Sequence, residues 1–460
     1  MKHCETDRAA APAGAPATIF APASGAGVGA VAVVRLSGPA AAAAVCALAG
    51  TLPAPRQATL RCLSDPATGE TLDRALVIWF PGPASYTGDD AAEFHLHGGV
   101  AVQQSVLAAL AAQPGLRLAE PGEFTRRAFE NGKFDLTAAE GVADLVAART
   151  AGQRRQALAQ LGGGLGALYE GWRNDLVRAL AHLEADIDFP DEDLPETVAG
   201  AVQPVLVAVH DAILAHIDDG HRGERIRDGF RIAIIGSPNA GKSSLLNCLA
   251  KRDAAIVSTV AGTTRDVVEV HMDLGGFAVV LADTAGLRET GDDVEREGVR
   301  RARQAAEAAD LRLIVVDSTQ WPHLDETVET LIDGSSILVL NKADLGDPLR
   351  LAAAASERVG WPIRAVSALT GAGIDALVGE VRRIVTVRLG RQEAPALTRA
   401  RHREALGECR EALERALAGT DTALLTEDVR IATRALGRIT GRVDIDEVLD
   451  VIFRDFCIGK

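Results

Sequence analysis

Residues 231–243 read RIAIIGSPNAGKS. An apolar run, 231–235, passes straight into Gly236-Ser-Pro-Asn239-Ala240-Gly241-Lys242-Ser243, the spacing G-x-x-x-x-G-K-[ST], and a helix-forming segment follows from Ser244. Strand, glycine loop and helix in that order form a cradle for phosphates. The glycines let backbone N–H groups turn inward, Lys242 reaches the β- and γ-oxygens, and the Ser243 hydroxyl completes the shell of a magnesium ion.

Downstream, three more signals each follow an apolar strand. Asp283-Thr284-Ala285-Gly286 follows 277–282, so Asp283 sits where an acid can hold Mg²⁺ through water. Asn341-Lys342-Ala343-Asp344 follows 337–340, and a carboxylate at Asp344 can accept both N–H donors of a guanine edge, which adenine does not offer. Ser367-Ala368-Leu369 follows 362–366 and places backbone amides near the guanine carbonyl. The set resembles the guanine-nucleotide-binding domain of translation-factor-related GTPases, and the reading is GTP, not ATP. One departure matters. Leu287 stands where Ras-like enzymes place the water-orienting Gln, so another group must act, and 289–295 (ETGDDVE) offers several acids.

The alternation of strands and helices runs to about residue 389 and calls for a parallel sheet. Outward from it the pattern changes. Residues 18–132 read as an α+β segment, with strands at 29–36 and 75–80 and a helix at 101–112. From 136 to 221 the chain reads as long helices, broken by the acidic turn 186–195 (DIDFPDEDLP), and 222–230 (RGERIRDGF) reads as a charged linker. Helical periodicity resumes after 390–395. A helical domain interrupted by a complete α/β domain is the expected order, and 460 residues suit about three domains.

Composition sets limits. Lys+Arg 48 against Asp+Glu 63 leaves a net charge of −15, which argues against coating nucleic acid with the whole surface. Aromatics at 4% are too few for a base-stacking platform, and 47% hydrophobic residues supply sizeable cores. The cysteines (Cys4, Cys46, Cys62, Cys248, Cys409, Cys457) form no C-x-x-C pair, as expected in a reducing compartment. Residues 1–17 lack an apolar core and read as a disordered tail, not a secretory signal. A cytoplasmic protein with no membrane span is expected.

Further stretches carry a family resemblance: 236–244 (GSPNAGKSS), 261–266 (AGTTRD), 283–288 (DTAGLR), 121–129 (PGEFTRRAF) and the terminal CIGK, 457–460. On these the chain resembles the MnmE (TrmE) family of tRNA modification GTPases over nearly all its length after residue 18. The resemblance implies an α/β and α protein. It implies that residues 18–133 form an N-terminal α+β domain that binds folate and dimerises. A helical domain, 134–225 and 390–460, is interrupted by a Ras-like P-loop GTPase domain, 226–389. It also implies an FAD-dependent partner, MnmG, forming a heterotetramer, and modification of C5 of the wobble uridine (position 34) of certain tRNAs. The one-carbon donor implied is a 5-formyl- or methylene-tetrahydrofolate-type ligand.

Carried over residue by residue, Asn239, Ala240, Gly241, Lys242, Ser243 and Ser244 match the phosphate loop. Ser258, Thr259, Val260, Ala261, Gly262, Thr263 and Thr264 match a loop that contacts GTP. Asn239, Ser258, Val260 and Thr263 match potassium ligands, and Ser243 with Thr264 the Mg²⁺ ligands. In that match K⁺ would sit where an arginine finger acts in other enzymes. Thr284, Ala285 and Gly286 join Asp283, and Ala343 joins the guanine loop. Glu295 matches the catalytic residue that orients water. Arg35, Glu93, Lys133 and Lys460 match the folate pocket, where a carboxylate such as Glu93 can pair with a pterin edge.

Other features read as structural. His95 and His97 alternate on one strand face without a third ligand. Residues 163–166 (GGLG) read as a helix break, and 399–403 (RARHR) and 434–442 as ordinary helix charges. Two competing functions use the same motifs: a ribosome-assembly or RNA-binding switch, and a folate-dependent one-carbon enzyme with a regulatory G domain.

Overall fold

The computed structural model describes residues 17–25, 27–188, 198–251, 269–283, 300, 303–345, 362–390, 395–443, 449, 452–453, 456 and 459. The chain divides into two compact units. One comprises Met1–Ala143, Leu161–Arg173 and Arg434–Lys460, the other Asp144–Gln160 and Asn174–Thr433.

In the first unit, β1 (Thr18–Pro22), β2 (Val31–Ser37), β3 (Thr59–Ser64), β4 (Thr71–Phe80), β5 (Ala91–His97) and β6 (Leu116–Leu118) form one sheet. The order is β3-β4-β5-β2-β1-β6, antiparallel except for the β1–β6 pair. Side chains alternate between faces along a strand. Val34, Leu36, Val77, Trp79, Phe94 and Leu96 therefore share one face, where the helices Ala41–Ala49 and Val100–Ala111 bury them with Leu48 and Leu110. Each such side chain contributes roughly 1.5–3 kcal/mol when fully buried. Arg35, Glu93 and His95, out of phase with that core, fall on the opposite face.

The PGEFTRRAF stretch forms the helix Glu123–Glu130 and an ion-pair knot. Gly122, with φ of 70°, starts it, and a Cβ there would press on the Phe453 carbonyl at 2.7 Å. The buried Glu123 carboxylate accepts from Arg117 at 2.6 and 2.8 Å, Arg127 at 2.9 Å and the Glu120 amide at 2.9 Å. Arg127 also donates to the Ala17 carbonyl at 2.7 Å. Burial alone would raise the Glu123 pKa, but these donors more than offset it and leave it below the ordinary 4.5. Its contribution is thus complete above pH of about 4.5 and is lost as pH falls through the lower folded value. Glu123→Gln is expected to cost on the order of 2 kcal/mol at pH 7. Urea unfolding of the full chain should show that gap closing in acid, and an equal gap at pH 7 and pH 3 would refute the role.

In the second unit, the helices Val198–Ile217 and Ala400–Ala418 pack together. His402, Leu406, Cys409, Leu413 and Ala416 recur at helical spacing on the buried side. Burial pushes the Cys409 thiol up to about 12, so it is an inert core group. A second sheet contains β7 (Phe230–Ile235), β8 (Glu269–Leu274), β9 (Phe277–Asp283), β10 (Leu311–Asp317), β11 (Ser336–Asn341) and β12 (Ile363–Ala365). Its order is β12-β11-β10-β7-β9-β8, parallel but for the β8–β9 pair. Apolar clusters cover both faces: Ile232 and Ile234 face one, Ala233 and Ile235 the other. Burial on both sides explains why these strands read as unbroken apolar runs.

One expectation is corrected. The stretch expected as a linker contains a helix, Arg222–Asp228. Gly223, which suggested a break, is required because the Leu397 carbonyl occupies the place a Cβ would take. Glu224 pairs with Arg403 at 3.4 Å and Arg225 with Asp310 at 2.5 Å. Gln156 and Gln153 donate to the Gly223 and Arg227 carbonyls at 2.9 and 2.8 Å. Its charges are packing contacts. The helix break expected at 163–166 falls at Gly162 and Gly163, between the helices Ala151–Leu161 and Gly164–Asp188, so Gly164, Leu165 and Gly166 already open the second helix. Among the described residues no helix is long and apolar enough to cross a membrane.

Candidate functional site

The phosphate loop links β7 to the helix Lys242–Ala250. Gly236 has no space for a side chain because the Val315 carbonyl of β10 lies against it. Asn239 (φ 61°) and Gly241 (φ 93°) take left-handed conformations that coil the loop before the helix starts. Lys242 Nζ donates to the Gly236 and Ser237 carbonyls at 2.8 and 2.9 Å, so the loop itself holds the ammonium. Ser243 and Ser244 are exposed on the first helical turn, and Ala240 is buried. A left-handed glycine loop, a helix N-terminus and a fixed ammonium together make an anion site.

The other signals meet it at the carboxyl edge of the same sheet. Asp283 ends β9 and is the register partner of Ile234, two residues before Gly236. Buried Asn341 ends β11. Its Nδ2 donates to the Ala240 carbonyl at 2.9 Å and its Oδ1 accepts from the Ala368 amide at 3.1 Å. One side chain thereby ties the phosphate loop to both base-reading loops. Lys342 (φ 62°) donates to Asp317 Oδ2 at 2.7 Å. Ala343 N donates to the Val366 carbonyl at 3.0 Å, and Asp344 is exposed on the turn Ala343–Leu345. Ser367 is buried and its Oγ accepts from the Thr370 amide at 3.1 Å, while Leu369 is 87% exposed.

Asp317 was not picked out by the sequence reading, although an acid closing a buried strand is the same signal that singled out Asp283. Burial would raise its pKa, but hydrogen bonds from Lys342 and Thr319 outweigh that and lower it. Ser258, Thr259, Val260, Ala261, Gly262, Thr263, Thr264, Thr284, Ala285, Gly286 and Glu295 lie outside the described residues.

The first unit holds a cavity of about 230 Å³ lined by Arg35, Arg56, Phe80, Ala84, Ser85, Tyr86, Thr87, Ala91, Ala92 and Glu93. Arg35 and Glu93 are cross-strand partners on β2 and β5. Arg35 donates from Nε and Nη2 to Glu93 Oε1 at 3.1 and 2.9 Å, while His95 Nε2 lies 3.2 Å from Oε2. The guanidinium also stacks over the Tyr86 ring, 5.5 Å from its centroid. Arg56 hydrogen-bonds the Ala84 carbonyl. Lys133 does not line the cavity: its Nζ donates to the Pro83 carbonyl at 2.8 Å, on the adjoining loop. Lys460 lies outside the described residues, and its neighbour Gly459 packs on the Pro22 carbonyl. The sequence reading missed Arg56, Tyr86 and Thr87, which come from loops with no motif of their own.

His97 pairs with Asp73 at 2.7 Å, and among the described residues no cluster of three or more metal-ligating side chains occurs. Arg399 and Arg403 pair with Asp144 at 2.7 Å and Asp219 at 3.0 Å, as ordinary helix charges do.

A phosphate loop and a guanine-type base loop on the carboxyl edge of a largely parallel sheet define a P-loop GTP hydrolase. The comparisons narrow the class. Residues 136–457 match the family described as "MnmE helical domain", and 18–133 match "GTP-binding protein TrmE N-terminus". A protein of Rhodospirillum rubrum named tRNA modification GTPase MnmE is 55% identical over 458 residues, covering 96% of this chain and 99% of that one. The protein of that name from Paramagnetospirillum magneticum is 54% identical over 444 residues, with 96% and 99% covered. A Danio rerio protein named 5-taurinomethyluridine-[tRNA] synthase subunit GTPB3, mitochondrial, is 50% identical over 465 residues, covering 96% and 93%. The chain belongs to the MnmE family of tRNA modification GTPases.

Proposed function

We propose that this chain hydrolyses GTP to GDP and phosphate in a potassium-stimulated reaction. With an FAD-dependent MnmG-type partner, it modifies C5 of the wobble uridine (position 34) of certain tRNAs to aminomethyl or carboxymethylaminomethyl groups, using a tetrahydrofolate one-carbon donor. The observation that carries the reading is the Asn341 side chain joining the phosphate loop to the Ser367–Leu369 loop, an arrangement suited to a ligand with phosphates at one end and a base at the other. In this reading the chain acts as a cytoplasmic homodimer, and hydrolysis drives cycling of a G domain at 226–389. The helical parts are 134–225 and 390–460, and 18–133 holds the folate.

The residues suit the implied groups. Ser243 at the head of its helix, with Thr264 and through water Asp283, offers the hard oxygen donors that Mg²⁺ takes. Asn239, left-handed in the loop, would hold K⁺ together with Ser258, Val260 and Thr263. Bound there, the cations would supply positive charge beside the transferring phosphoryl group. Lys242 binds the phosphates, Asp344 selects guanine, and Glu295 orients the attacking water. For the folate, the cavity volume suits a fused ring better than a whole cofactor. Glu93 retains acceptor capacity beside Arg35, and Lys133 and Lys460 are assigned to the tail.

The test has two arms. Bulk tRNA from a deletion strain should lack the modified wobble nucleoside and regain it on complementation. Purified protein should hydrolyse GTP about tenfold or more faster in K⁺ than in Na⁺ at matched ionic strength, because Na⁺ is too small for the oxygen cage. Asn239→Ala should remove that difference. A normal level of the modified nucleoside in the deletion strain, or equal rates in both salts, would overturn the respective part.

A further inference from the structure

We propose that Asp317 and Ser318, at the carboxyl end of β10, are positioning residues that set purine selectivity: they hold Lys342 and, through it, the turn that presents Asp344. The assignment rests on the guanine reading above. Asp317 and Asn341 are register partners that close β10 and β11 at the same level. Immediately beyond, the chain turns at Lys342, whose φ of 62° is a conformation that a residue with a side chain keeps only when its surroundings fix it.

The fixing comes from β10. Ser318 donates from its amide to the Asn341 carbonyl at 2.9 Å and from its hydroxyl to the Lys342 carbonyl at 2.9 Å. Lys342 Nζ donates to Asp317 Oδ2 at 2.7 Å. The other carboxylate oxygen, Oδ1, accepts from the Thr319 amide and hydroxyl at 2.9 and 2.8 Å, which sets the carboxylate plane. Asp317 is mostly shielded from water, with 12% of its side chain exposed against 35% for Lys342, so the pair is screened less than a surface ion pair. Backbone and side chain of Lys342 are therefore both anchored on one neighbouring strand. The next residues form the tight turn Ala343–Leu345 that carries Asp344. Where that carboxylate meets a base edge depends on the left-handed step before it.

The readout is the ratio of GDP to IDP affinity, titrated calorimetrically with full-length protein. Inosine lacks the 2-amino group, so the ratio reports whether Asp344 reaches both guanine donors. Loss of folded protein lowers the number of sites without changing it. Asp317→Asn keeps an oxygen for Thr319 but can turn an amide NH₂ toward the Lys342 ammonium, setting donor against donor. The ratio should fall about threefold or more, with turnover at saturating GTP little changed. Ser318→Ala, a smaller change that removes only the grip on the Lys342 carbonyl, should lower it in the same direction and serves if the first variant is insoluble. Asp344→Asn, tested alongside, should move preference from GDP to XDP. An unchanged ratio beside an intact switch at Asp344 overturns the role of Asp317 and Ser318 alone. No switch at Asp344 overturns the guanine reading and this assignment with it.

Discussion

Glu295→Ala is expected to lower GTP turnover in K⁺ by roughly 10²–10⁴-fold, the usual cost of removing an orienting or acid–base group. Leu287 occupies the position where a Ras-like glutamine would act, and its side chain can neither donate to nor accept from water. In the proposed reading the task falls to an acid on the segment that follows, and among the carboxylates of 289–295 the family resemblance selects Glu295. A group that acts only on the attacking water is not used by the ground state, so in that reading nucleotide affinity should change little. Turnover at saturating GTP and equilibrium binding of a fluorescent GTP analogue separate the two effects. Turnover that falls only in proportion to weakened binding would return Glu295 to an ordinary loop charge and reopen the choice among Arg288, Glu289 and Asp292. Wobble-uridine modification should fall with turnover if hydrolysis, and not binding alone, is what the pathway uses.

Gly236→Ala should be as damaging by a different route. The new methyl group, fixed rigidly to the backbone at Cα, would meet the backbone carbonyl of Val315 inside any allowed contact distance. Neither can swing aside as a flexible side chain would. Val315 lies in the buried cluster of the sheet and is the register partner of Val339. Relief therefore requires β7 and β10 to separate, which costs about 1–3 kcal/mol as an overpacked core does, and more where the backbone is rigid. The phosphate loop begins at this residue, and Asp317 lies two positions beyond Val315. A shift at that point disturbs both the phosphate cradle and the grip on Lys342. GDP affinity should drop by at least about tenfold alongside a lowered thermal midpoint. A variant that binds GDP normally would show that the loop absorbs the methyl group without moving.

The two sites differ in how far a linear reading could reach them. The phosphate loop, Asp283, 341–344 and 367–369 were legible because each is a short segment closing its own apolar strand, and a parallel sheet brings all strand ends to one edge. Local sequence there encodes nearly the whole geometry. Asp317 and Ser318 obey the same rule and were passed over only because no familiar motif flags them. The cavity beside Arg35 is another matter. Arg35 and Glu93 are 58 residues apart and meet through strand register, while Arg56 and Tyr86 arrive on loops whose course depends on the finished sheet. The helix Arg222–Asp228 was misread for a related reason. Its glycine and charges answer to Leu397, Arg403 and Asp310, none of them near in sequence. Glycine marks a place where something comes close, and the sequence alone does not say whether that is solvent or backbone.

The Asn341 amide has one consequence beyond placing loops. With its NH₂ on the Ala240 carbonyl and its oxygen on the Ala368 amide, it makes two recognition surfaces share a single rotamer. Ordering either loop then restricts the other, and the free energy of that restriction is counted once for the pair. By reciprocity, any phosphate-bearing fragment that steadies the loop after β7 must improve the affinity for a base by the same factor that the base improves its own. Recognition at the two ends of a nucleotide is in that sense a single event, and the joint through which it becomes one is a neutral side chain that forms no part of the chemistry.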